Sequence, residues 1–180
     1  MTEFSDPRYT GSQGGLNWAL TMHDLIVNGN VSAIDYMRAI SGEYSERKWP
    51  GSTLIVLKSD ASGLRYKGYQ TNAMYHAMAQ YSRYVRPGYA RIAGDSSDRQ
   101  IKVSAFKKNS AVVLIVINEA AIEKRIDITL RGAPAIHALE TVQSGGDQGW
   151  KALATVKKAN NRFLSTLPPK SITTFIGNES

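Results

Sequence analysis

The chain has 180 residues, no cysteine, 42% hydrophobic residues and 21% charged residues. This composition describes a folded protein and excludes disulfide frameworks, thiolate metal sites and cysteine nucleophiles; the length falls short of the ~250 residues of a complete eight-fold β/α barrel. The formal charge of +7 raises the question of a polyanionic partner, but the basic pairs Arg47-Lys48, Lys107-Lys108, Lys124-Arg125 and Lys157-Lys158 are scattered along the chain, which weighs against a nucleic-acid interface.

The opening Met1-Thr2-Glu3-Phe4-Ser5-Asp6-Pro7 carries acid where a secretory signal needs base, and no apolar run follows it. Leu16, Ala19, Leu20, Met22, Leu25, Ile26 and Val27 predict a buried helix over 15–27, ended by Asn28-Gly29-Asn30. Val31 to Ile40, with Val31, Ala33 and Tyr36, reads as a buried strand. A loop of some 25 residues carrying Trp49, Pro50 and several Ser and Gly is expected next, and loops of that length inside compact domains are usually functional or disordered. Met74, Ala77, Met78, Tyr81, Tyr84 and Val85 then form a helical apolar stripe that Pro87-Gly88 stops.

Beyond Gly88 the chain reads as short strands only. Ile101, Val103 and Ala105 alternate with polar neighbours, and Ala111 to Ile117 is a continuous apolar run suited to a central strand covered on both faces. That run is the longest in the chain and is far shorter than the ~18 residues of a membrane span, so no membrane partner is expected. Segments 126–130, 136–142, 153–156, 163–167 and 172–176 complete the series, with turns such as Ser144-Gly145-Gly146-Asp147 between them. Short strands at this spacing predict an antiparallel sandwich.

His23, His76 and His137 lack metal-ligand spacing, so neither a metal nor a cofactor is expected. The run Gly11-Ser12-Gln13-Gly14-Gly15 lacks the Lys-Ser/Thr ending of a phosphate loop and the strand-elbow-helix setting of a hydrolase serine. Trp150, after a Gly-rich turn, reads either as an exposed sugar platform or as packing at a sheet edge.

Three stretches taken together carry a family likeness. They are Met22-His23-Asp24-Leu25 with Asn28-Gly29-Asn30-Val31-Ser32-Ala33, then Tyr81-Ser82-Arg83-Tyr84-Val85-Arg86-Pro87-Gly88-Tyr89-Ala90-Arg91-Ile92, and finally Leu167-Pro168-Pro169-Lys170-Ser171-Ile172-Thr173-Thr174-Phe175. In this order, behind Met1-Thr2-Glu3, they resemble the C-terminal portion of glycoside hydrolase family 30 over nearly the whole chain. The resemblance implies an α+β chain: an incomplete (β/α)8-barrel segment, holding the last two β/α units, followed by an antiparallel β-sandwich. The barrel part would span 1–87 and the sandwich 88–180.

The same resemblance implies a retaining hydrolase of a β-linked polysaccharide of the xylan, β-1,6-glucan or β-1,6-galactan class. Retaining hydrolysis needs a nucleophile and an acid/base carboxyl about 5–5.5 Å apart. Glu3 falls at the family's nucleophile position at the end of barrel strand seven, whereas read alone it is a solvated acid in a frayed terminus. The acid/base, on strand four, has no counterpart in these 180 residues, so the isolated chain is expected to be inactive. Tyr9, Tyr36, Arg38, Tyr44 and Trp49 are the candidate substrate-binding residues; Glu43 and Glu46 suit sugar hydroxyls or solvent better than acid catalysis. The family is commonly secreted or periplasmic. Self-association through exposed barrel edges is expected, and the alternative function is a non-catalytic carbohydrate-binding or interaction sandwich.

Overall fold

The computed structural model describes residues 11–48, 53–132, 135–145 and 148–178. The chain divides into two compact units, Met1–Met78 and Ala79–Ser180. The division falls inside a helix, nine residues ahead of the Pro87-Gly88 boundary expected from the sequence.

In the first unit, helix α1 (Gly11–His23) buries Leu16, Trp18, Ala19 and Met22. It starts four residues before the predicted Gly15, so the glycine run is helical. The cause lies at Gly15, where a Cβ would stand 2.7 Å from the carbonyl oxygen of Ala73. Only a residue without a side chain permits that approach, and it outweighs the helix-weakening entropy of glycine. A π-helical turn, Asp24–Asn28, continues α1; the Gly29 N–H closes it on the Asp24 carbonyl at 2.8 Å.

The strand expected over 31–40 is mostly irregular. Its ladder begins only at β1 (Ile40–Gly42), with a single bridge at Tyr36. The long loop expected after it contains a short helix, α2 (Glu43–Lys48), and a hairpin of β2 (Ile55–Ser59) and β3 (Tyr66–Thr71). The sheet order is β1-β2-β3, with β1 parallel to β2 and β2 antiparallel to β3. Asp60 organises the turn by accepting hydrogen bonds from the Ser62 hydroxyl (2.6 Å) and the Leu64 and Arg65 N–H groups (both 3.3 Å), and Gly63 takes a positive φ of 75°. The ladder then slips at Lys58/Ser59: Lys58 faces Gly68 while Ser59 faces Tyr66, leaving Lys67 as the extra residue of a bulge beside Gly68 at φ 118°. Helix α3 (Ala73–Ser82) follows, shorter than the predicted 74–85.

The second unit is built of β4 (Ala90–Ile92), β5 (Ile101–Lys108), β6 (Ala111–Asn118), β7 (Lys124–Ile128), β8 (Ala138–Gly145), β9 (Gln148–Lys157), β10 (Phe163–Leu167) and β11 (Ser171–Gly177). Six of them form an antiparallel sheet in the order β4-β5-β6-β11-β8-β9, and β10 pairs with β7 in a second sheet. All the strands expected after Gly88 are present; β4, three residues long, left no periodicity to read.

One core joins the two sheets. Ile101, Val112, Leu114, Val116, Leu139 and Phe175 from the larger sheet meet Phe163 and Leu167 of β10, with Ile126 and Ile128 of β7 packed against them. On the other face of the larger sheet, the end of α3 supplies polar contacts. Gln80, fully buried, donates from Nε2 to Ser144 Oγ at 3.0 Å and accepts at Oε1 from the Thr174 hydroxyl at 2.6 Å, while the Tyr81 hydroxyl lies 3.2 Å from Ser104 Oγ.

Because Phe175 is fully buried at the centre of that core, Phe175→Ala is expected to lower unfolding stability by about 3–5 kcal/mol in chemical denaturation. Leu164→Ala, 65% exposed on β10, should stay within about 0.5 kcal/mol of the wild type. A Phe175→Ala loss as small as that of Leu164→Ala would contradict the packing described.

Candidate functional site

Three of the candidate residues, Glu3, Tyr9 and Trp49, lie outside the described residues. The other three fall in the first unit in different settings. Tyr36 is buried: its ring meets Trp18 edge to face at 5.2 Å between centroids, and its hydroxyl points at Met74 Sδ at 3.8 Å. Arg38 is half-buried, and its carbonyl accepts the Leu54 N–H at 3.2 Å, so its backbone starts the parallel pairing that β1 and β2 continue. Tyr44, on the first turn of α2, is 73% exposed.

Glu43 is engaged with the hairpin. Its Oε2 accepts the Ser59 N–H at 3.2 Å and the Ser59 hydroxyl at 3.4 Å, and its Oε1 stands 3.3 Å from Lys58 Nζ. The Ser59 N–H, followed by Lys58, holds the Glu43 carboxyl below its ordinary range. Such a group is a structural brace rather than a proton donor. Asp24 accepts from the Asn28 amide at 3.1 Å on the surface.

Two of the histidines, His23 and His76, are at least partly buried in the first unit, and His137 is exposed in the second. His23 is buried at the end of α1. His76 shares a 3.2 Å hydrogen bond with the Thr71 hydroxyl, and its Nδ1 is buried without a hydrogen-bond partner. Burial pushes the ring's pKa down, so it is neutral in neutral solution. Among the described residues, no three His, Asp or Glu stand close enough to hold a metal ion, and no helix is long and apolar enough to cross a membrane.

In the second unit, Trp150 takes the packing alternative. Its ring stacks on Tyr84 at 5.6 Å and 19° between planes, and the Arg83 guanidinium sits 5.2 Å from its centroid. Burial raises the pKa of the Tyr84 hydroxyl.

Two features escaped the sequence reading. The large apolar side chains most exposed among the described residues fall mostly between Met37 and Tyr75, with Tyr66 and Tyr69 on one strand of the β2–β3 hairpin. The charge is also divided: residues up to Met78 hold seven basic and seven acidic side chains, and the later ones fifteen and eight. The second signal was available by counting; the first needed the register.

No family model matches the chain. Its sequence is 30% identical over 102 residues to the glucuronoxylanase XynC of Bacillus subtilis strain 168, a match covering 56% of this chain and 24% of that protein. The fold matches a family 30 endoxylanase from Clostridium papyrosolvens C71 with a TM-score of 0.75 at 24% identity, over 99% of this chain and 41% of that one. The family 30 subfamily 8 xylanase Xyn30A from Clostridium acetobutylicum gives a TM-score of 0.79 at 23% identity, over 99% and 42%. The chain resembles the C-terminal portion of a family 30 glycoside hydrolase. It spans about a quarter of the length of the curated relative and about two fifths of the solved xylanases.

Glu43 sets a pH dependence. A carboxyl whose pKa is lower folded than unfolded stabilises the fold fully above its unfolded value, near the ordinary 4.5, and that contribution disappears as pH falls through the folded value. Glu43→Gln is therefore expected to melt below the wild type near neutral pH and to converge with it in acid. Melting curves that run parallel through the acid range would show that Glu43 does not brace the hairpin.

Proposed function

We propose that this chain is the C-terminal part of a retaining glycoside hydrolase acting on xylan. In this reading, residues 1–87 are the last β/α units of a (β/α)8 barrel and 88–180 the β-sandwich side domain. The observation that carries it is the fold likeness over 99% of the chain to two family 30 xylanases, together with the sequence match to a glucuronoxylanase.

Glu3 is then the nucleophile. A retaining mechanism forms a bond between its carboxylate oxygen and the anomeric carbon as the leaving oxygen takes a proton from the acid/base carboxyl; water then displaces the carboxylate with the first proton transfer reversed. The acid/base belongs to the barrel region that these 180 residues do not match. Tyr9, Tyr36, Arg38, Tyr44 and Trp49 are the proposed sugar-binding set. Exposed Tyr44 suits direct contact, whereas Tyr36, packed on Trp18 and Met74, suits shaping the wall behind it. The alternative of a stand-alone binding sandwich relies on Trp150 as a platform, and the Tyr84 and Arg83 contacts speak for packing instead.

Purified chain incubated with xylan, β-1,6-glucan and β-1,6-galactan is expected to release no reducing sugar, because the carboxyl pair acts as a unit and half of it contributes little. Robust turnover abolished by Glu3→Gln would overturn the missing-partner account while keeping Glu3. Robust turnover unaffected by Glu3→Gln would overturn both.

A further inference from the structure

One face of the β1-β2-β3 sheet carries an exposed row of apolar and phenolic side chains. Ile40 faces Ile55, which faces Thr71; on the next rung Gly42 faces Leu57, which faces Tyr69; on the last, Ser59 faces Tyr66. Side chains alternate along a strand, so these rungs share a face, and Val56, buried at 2% exposure, points the other way. Tyr66 and Tyr69 are three residues apart and in a regular strand would point to opposite faces. The bulge at Lys67-Gly68 inserts the extra residue that brings both phenols to the same side. On that side Ile40 is 60% exposed, Leu57 41%, Tyr66 65% and Tyr69 66%.

The face has three properties that select its occupant. None of the paired residues on it is charged, the neighbouring Lys58 is tied to Glu43, the exposed basic residues Arg65 and Lys67 flank Tyr66 at one end only, and the whole unit balances its charges, so charge does not mark the whole face for a polyanion. It is also small: three strands about 4.8 Å apart and three rungs about 7 Å apart cover on the order of 200 Å². A stable protein partner needs about 800 Å² on each side, which disfavours a second copy of the chain. Finally, the Asp60 turn and the Glu43 brace hold the hairpin in shape before anything binds.

We propose that Tyr66 and Tyr69, flanked by Leu57 and Ile40, form a binding platform for the uncharged main chain of a β-linked polysaccharide. A pyranose presents C–H groups on one face and hydroxyls at its rim, so it stacks on a phenol ring while its hydroxyls stay hydrated or meet the phenolic oxygen. This assignment rests on the glycoside hydrolase reading above and adds to it two binding residues on the β2–β3 hairpin, with the main chain rather than a charged substituent as the group recognised.

The test is affinity electrophoresis and calorimetric titration of the whole chain against unsubstituted xylan and xylohexaose, at low and high salt. The variants are Tyr66→Ala/Tyr69→Ala, Tyr66→Phe/Tyr69→Phe and, as a control on the other unit, Leu164→Ala. All three side chains replaced are largely exposed, and circular dichroism confirms folding. The double alanine variant should lose about tenfold or more in affinity, while the double phenylalanine and Leu164→Ala variants bind as the wild type, with little salt dependence. Undiminished binding by the double alanine variant overturns the platform and leaves the glycoside hydrolase reading standing. Failure of the wild type to bind either ligand likewise overturns the platform and leaves the glycoside hydrolase reading standing. A concentration-dependent dimer in sedimentation that the double alanine variant disperses assigns the face to a second copy and overturns the platform.

Discussion

The second unit depends on β6 being buried on both sides. Residues 112–118 are all buried, and they divide by parity. Val112, Leu114 and Val116 enter the core shared with the β7–β10 sheet, while Val113, Ile115 and Ile117 point to the opposite face. That second face also carries Ser104 and Thr174, on the same rung as Ile115. Hydroxyls so deeply buried stabilise a fold only when paired, and Gln80 and Tyr81 pair them from the end of α3. At the strand's end Asn118, fully buried, donates its amide to the carbonyls of Ile122, Leu167 and Pro168 and accepts from the Ala120 N–H, tying the connections to β7 and β11 together. Apolar bulk sets the stability of this unit; the amide and hydroxyl partners fix how the pieces register.

The second unit was legible because its residues keep strict periods. Ile101-Val103-Ala105 and Ile126-Ile128 alternate, and the run 111–117 can only be satisfied by burial on both sides. The first unit was less legible for identifiable reasons. Gly14 and Gly15 sit inside α1 because Ala73 approaches too closely for a side chain, a tertiary cause invisible to local propensity. The β2–β3 hairpin reads as a loop in the sequence because its bulge breaks the period of two between Tyr66 and Tyr69 and small and polar residues fill 58–63. Of the proposed site, Tyr36 and Arg38 could be placed by their likeness to a family, but the burial of Tyr36 against Trp18 followed only from the packing. The phenolic face was unreadable without the register that assembles it.

Function is layered on these two units unequally. The first holds the proposed nucleophile, the proposed sugar contacts and the uncharged phenolic face, and its basic and acidic side chains balance; the second carries the whole excess of positive charge. A neutral main chain stacked on tyrosines gains little from that charge, so it bears on solubility and encounter more than on recognition. The first unit contains the parallel β1–β2 pair, α1 and the first part of α3, the elements that the proposed β/α reading needs.

The most direct test of the central claim is covalent labelling by a fluoroxyloside with an activated leaving group, which needs no acid to form the glycosyl-enzyme. The label is applied to the longest form of the protein that its source expresses, and the modified peptide is mapped by mass spectrometry. The account predicts a single fluoroxylosyl adduct on Glu3. An adduct on any other carboxylate of this chain, with Glu3 unmodified, would contradict it.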